Sequence, residues 1–144
     1  MASILKVDTL TGVTTAGSIS VTGEGNSTTT NLQQGLAKVW INFNGTGTIA
    51  IRDDFNASTI VDNTTGDYTV NFTSSMSNND YSVSGSCRDD SNAAPTACRW
   101  LGISSAATVD TVMTTSLVRV LTVYSNGNPD DSEVACVEIN GDLA

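Results

Sequence analysis

The stretch "DYTVNFT", residues 67–73, does more than any other to limit what this chain can fold into. Tyr68, Val70 and Phe72 fall on one side of an extended backbone, and Thr69, Asn71 and Thr73 on the other. That is the period of a β-strand with one face packed and one face wet, because successive side chains of a strand point to opposite faces. "DYSVSGSC" repeats the pattern, with Tyr81, Val83 and Cys87 inward and Ser82, Ser84 and Ser86 outward. Half-buried strands of this kind belong to antiparallel sheets.

Further strands are expected at "TIAIR", "STIVD", "CRWLGIS", "TVDTVMT", "LVRVLTVY" and "EVACVEI". Between them lie asparagine- and glycine-rich turns, "NGTG", "DNTTGD" and "YSNGNPDD", which suit hairpin connections. "GLAKVWINFNGTGTIAIRDDFN", residues 35–56, reads as one framework hairpin. About eight short strands at roughly 8–12 residue spacing predict a single antiparallel β-sandwich of jelly-roll-like type over residues 36–144.

Residues 1–35 differ. They are rich in Thr, Gly and Ser and hold two short apolar patches, "ILKV" and "SISV". Patches this short cannot make a core, so Ile4, Leu5, Val7, Leu10, Ile19 and Val21 are expected to attach an extended N-terminal arm to another surface. The pattern "TTTNLQQGLAKVW" predicts a short helix with Thr30 or Asn31 as N-cap and Leu32, Leu36 and Val39 on one face, which Gly35 weakens.

Composition excludes whole classes of chemistry. There is no histidine, so serine triads, Cys-His pairs, HExxH zinc sites and histidine bases drop out. Six basic residues stand against 15 acidic ones, a net charge of −9. Such a surface repels phosphate backbones, so neither nucleic acid nor an anionic membrane is an expected partner. The start of the chain has no basic n-region or apolar core of a signal peptide, and no run approaches the ~20 apolar residues of a membrane span.

Several features have two readings. Cys87, Cys98 and Cys136 lack zinc-site spacing. Cys87 and Cys98 flank "RDDSNAAPTA" and are either a cross-strand disulfide or small buried hydrophobes, and the second reading is the simpler. The doublets Asp53-Asp54, Asp89-Asp90 and Asp130-Asp131 fit no EF-hand loop and read as solvated turn carboxylates. Trp40 and Trp100 are expected in the sandwich core rather than stacked on a sugar. Five Asn-x-Ser/Thr sequons, beginning at Asn26, Asn44, Asn56, Asn63 and Asn71, are expected by chance in so Asn- and Thr-rich a chain. No catalytic residue, metal site or cofactor is expected.

Residues 32–85, "LQQGLAKVWINFNGTGTIAIRDDFNASTIVDNTTGDYTVNFTSSMSNNDYSVSG", resemble a module of tail-fibre-like virion proteins of marine tailed bacteriophages of the cyanophage type. The shared features are a Gln-Gly-x-Ala-Lys-x-Trp opening, an Asn-Phe-(Asn/Asp)-Gly-Thr-Gly turn, the DNxTGxYTVNF segment and a YxVxG strand. "ILKVDTLTG" is similar to N-terminal peptides of the same group, while residues beyond 85 agree only in strand rhythm. The resemblance implies a non-enzymatic virion structural protein, a short fibre or knob on tail, collar or capsid. It also implies a homotrimer that reaches the virion surface without export and contacts other virion proteins. The alternative is a receptor-binding tip for a host surface glycan. It would use loops 88–95 and 125–132, with Asp89, Asp90, Asn92, Asn126, Asn128 and Asp130 as contacts.

Overall fold

A computed structural model of the protein describes residues 4–12, 19–23, 29–33, 35–89, 99–105 and 108–143. The chain divides into two compact units, Met1–Leu36 and Ala37–Ala144.

The first unit holds one small hairpin, β1 (Ser20–Thr22) paired antiparallel with β2 (Thr29–Asn31). The helix expected after Thr30 is reduced to a single turn. The Asn31 side chain does accept from the Gln33 N–H at 2.8 Å, as a cap would. Gly35 N–H still reaches the Asn31 carbonyl, but the chain then straightens and Val39 opens a strand.

The second unit is a sandwich of two four-stranded antiparallel sheets. One sheet has the order β4 (Ala50–Phe55), β3 (Val39–Asn44), β10 (Val134–Asn140), β7 (Ser82–Arg88). The other has the order β5 (Ala57–Thr64), β6 (Asp67–Phe72), β9 (Leu117–Tyr124), β8 (Arg99–Ile103). The first strand of the sandwich therefore pairs with the last, while β3–β4, β5–β6 and β8–β9 are sequence-adjacent neighbours.

Alternation determines which side chains meet between the sheets. From the first come Val39, Ile41, Phe43, Ala135, Val137 and Ile139; from the second come Tyr68, Val70, Phe72, Val118, Val120 and Thr122, all buried. Phe43 and Tyr68 meet edge to face at 5.0 Å between ring centres, a favoured aromatic geometry. Gly85 sits where Val83 and Cys87 point inward, and a Cβ there would lie 2.6 Å from the Leu101 side chain and the Cys136 carbonyl. The two sheets close together at that edge because the position is bare. Slipping β3 by one residue would expose Val39, Ile41 and Phe43 and bury Asn42 and Asn44. At about 1.5–3 kcal/mol per large apolar side chain, that register is firmly specified.

Three expectations need correction. "TVDTVMT" is not a strand: Val109–Val112 form one helical turn, α1, with the Thr111 and Val112 N–H groups both on the Thr108 carbonyl. That turn brings Val112 and Met113 down as a buried plug, a placement that a pattern of alternating Val and Thr does not encode. Trp40 and Trp100 are not core residues. They are 37% and 54% exposed, because each alternates with inward side chains of its own strand, Trp40 with Val39 and Ile41 and Trp100 with Leu101. Asp53 and Asp54 lie within β4 rather than in a turn.

Candidate functional site

Of the carboxylates singled out in the sequence, Asp89, Asp130 and Asp131 are structural. Asp89 and Asp130 do come together, but around a guanidinium. Arg99 Nη2 is 2.8 Å from Asp89, and its Nη1 is bonded to Asp130. Arg99 also lies over the Tyr124 ring at 5.4 Å and its side chain is almost fully buried. Asp131 accepts from the Gly66 N–H at 2.7 Å and the Tyr68 hydroxyl at 2.8 Å. It thereby ties the "DNTTGD" turn, where Gly66 adopts φ +72°, to the loop before β10. Burial, together with the Asp131 carboxylate, drives the Tyr68 hydroxyl well above its ordinary range. Among the described residues, no group of three or more His, Cys, Asp or Glu side chains could hold a metal ion.

Of the six loop residues expected to contact glycan, Asp90 and Asn92 lie outside the described residues. Asp89 and Asp130 are engaged by Arg99. Asn126 and Asn128 are exposed on a tight turn in which the Asn128 N–H donates to the Asn126 side chain at 3.0 Å. Together with Tyr124, Pro129 and Asp130 they line a notch of about 320 Å³. Arg99 is the residue that organises this end of the molecule, and nothing in the motif pattern singles it out.

Cys87 and Cys136 are free thiols; Cys98 is outside the described residues. Cys87 packs against the core, and burial pushes its thiol pKa up. Four sequon amides already have partners: Asn44 bonds the Thr46 carbonyl, Asn56 the Lys38 and Ser74 carbonyls, Asn63 the Asp67 and Thr69 side chains, and Asn71 the Thr59 hydroxyl.

Two surfaces remain. On the first unit, Ile4, Leu5, Val7 and Leu10 are all exposed, the first two at 77% and 80%. Val21 is exposed on the β1–β2 hairpin and Ile19 beside it is half-buried. On the sandwich, the outer face of the sheet β4-β3-β10-β7 carries two rows of side chains. Register places Phe55, Trp40, Glu138 and Ser84 side by side, and Asp53, Asn42, Cys136 and Ser86 in the next row. Between them runs a shallow groove of about 560 Å³ that includes Trp40, Asn42, Ser84, Ser86, Cys136 and Glu138.

These features define an all-β sandwich domain preceded by a small separate unit with exposed apolar side chains. Comparison of the chain with protein-family models, curated proteins and solved structures gives no match. Among the described residues, no helix is long and apolar enough to cross a membrane.

Proposed function

We propose that this chain is a non-enzymatic structural protein of a tailed-bacteriophage particle. It is a short trimeric fibre or knob held to tail, collar or capsid by its N-terminal unit, with the sandwich projecting from the particle surface. The observation that carries the reading is the exposure of Ile4, Leu5, Val7, Leu10 and Val21, none of which is buried by the described residues. Contiguous exposed apolar side chains mark sites of protein contact, and a short segment of this kind can add strands or lie in a groove on a partner. The sandwich supports a passive role. Its charged side chains Asp67, Asp131 and Arg99 are bound into bonds that join strands and turns, which suits a rigid scaffold. The resemblance of residues 32–85 to tail-fibre-like virion modules supplies the particle.

Antibody against the chain should label purified particles at one location, and particles grown with a copy lacking residues 1–36 should lose that label. Unlabelled particles, or a truncated protein that still incorporates, would overturn the reading.

A further inference from the structure

We infer that the outer face of the sheet β4-β3-β10-β7 binds a neutral oligosaccharide, at a site separate from the loops at the Arg99 end. A sugar ring presents C–H groups on its flat faces and hydroxyls around its edge. It therefore needs an aromatic platform beside hydrogen-bond acceptors. Phe55 and Trp40 are cross-strand partners on this face, 50% and 37% exposed, and form that platform. The acceptors follow along the same rows. Glu138 stands next to Trp40 on β10, while Ser84 and Ser86 stand beyond it on β7.

Charge selects among ligands. The groove includes the Glu138 carboxylate and no Lys or Arg, on a chain of net charge −9. Sulfated or uronic-acid polymers would meet repulsion, whereas an uncharged saccharide can donate to Glu138 and exchange hydrogen bonds with the Ser84 and Ser86 hydroxyls. Size agrees: four strands about 4.8 Å apart make a row of roughly 14 Å, which suits a short run of rings rather than one. A groove of about 560 Å³ is within the range of small-ligand sites.

Affinity electrophoresis of the full chain in gels containing dextran, laminarin, mannan or xylan tests this, with alginate as the anionic control. At least one neutral polymer should retard the protein and alginate should not. Phe55→Ala and Trp40→Ala should each weaken retardation at least tenfold, and Trp40→Phe should restore part of it. Because Phe55 is half exposed, its loss leaves the sandwich folded, which circular dichroism checks. Trp100→Ala, on the other sheet, and Asn126→Ala, in the loop turn, should leave retardation unchanged. Four outcomes would overturn the inference: no retardation by any neutral polymer, equal loss on Trp100→Ala or Asn126→Ala, stronger retardation by alginate, or a change in sedimentation of Phe55→Ala showing that the face joins copies of the chain. Particle labelling is not involved, so failure here leaves the structural role untouched, and the converse also holds.

Discussion

Asp67 sits on the outer face of its sheet, yet it is almost fully buried. Arg119 holds it through two bonds, Nε at 2.6 Å and Nη2 at 3.0 Å, with Ser104 and Asn63 completing the shell. Burial alone would raise this carboxyl, but the bonds from Arg119, Ser104 and Asn63 outweigh it and hold the pKa below the ordinary value of 3.8. The stability this group contributes is therefore complete above the unfolded carboxylate value and is lost as pH falls through the lower folded one. Arg119→Ala strands a buried carboxylate and should cost about 3 kcal/mol in urea unfolding at pH 7; a loss below about 1 kcal/mol would contradict the assignment. Tyr81 makes the opposite case. Burial pushes its hydroxyl up to about 12, while it lies 2.8 Å from the Leu117 carbonyl and 3.1 Å from that of Thr114. Its folded pKa being raised, its contribution is intact below pH 10 and disappears between pH 10 and about 12. Thermal unfolding followed across that interval should fall less steeply in Tyr81→Phe than in the parent. None of these partnerships is visible in sequence, since Asp67 and Arg119 are 52 residues apart and meet only as diagonal neighbours on paired strands.

At the level of elements, alternation in β6 and β7 is read correctly down to which side chains are inward, because burying one face leaves no other register for them. It fails where local pattern competes with a chain reversal. Between Phe55 and Ala57 the chain leaves one sheet for the other, and Asn56 makes that corner at φ 59°. Its amide bonds the Lys38 and Ser74 carbonyls, and its carbonyl oxygen Oδ1 accepts from the Ser74 N–H at 2.7 Å. Asn56→Ala loses those bonds and keeps a left-handed backbone without the asparagine that tolerates it. A cost of about 2 kcal/mol is expected, measurable by urea unfolding. The N-terminal unit behaves differently. Ile4, Leu5, Val7, Leu10 and Val21 are exposed, so removing residues 1–36 should leave the thermal unfolding midpoint of the sandwich unchanged. A truncated chain that is insoluble or unfolded would make that unit part of the core.

For the whole molecule the open quantity is the number of copies. A trimer would shield the apolar side chains of three N-terminal units around one axis. Three chains each carrying −9 repel one another, so association should strengthen as salt rises. Sedimentation at micromolar concentration and physiological salt should give about three times the 14.9 kDa chain mass; the monomer mass would count against the trimer.

What the sequence determined by itself is whatever repeats locally: an all-β chain, the alternating strands, the turns at "NGTG" and "DNTTGD", and the absence of histidine chemistry. Tertiary structure alone decided strand order, the bond of Asp131 to Tyr68, the gathering of Asp89 and Asp130 on Arg99, and the outward turn of both tryptophans. The reason is the range of the forces involved. Period two is imposed by bonds within one strand, but an aromatic residue at an alternate position is buried or exposed according to which sheet face finds a partner. That choice is made only when strands distant in sequence pair.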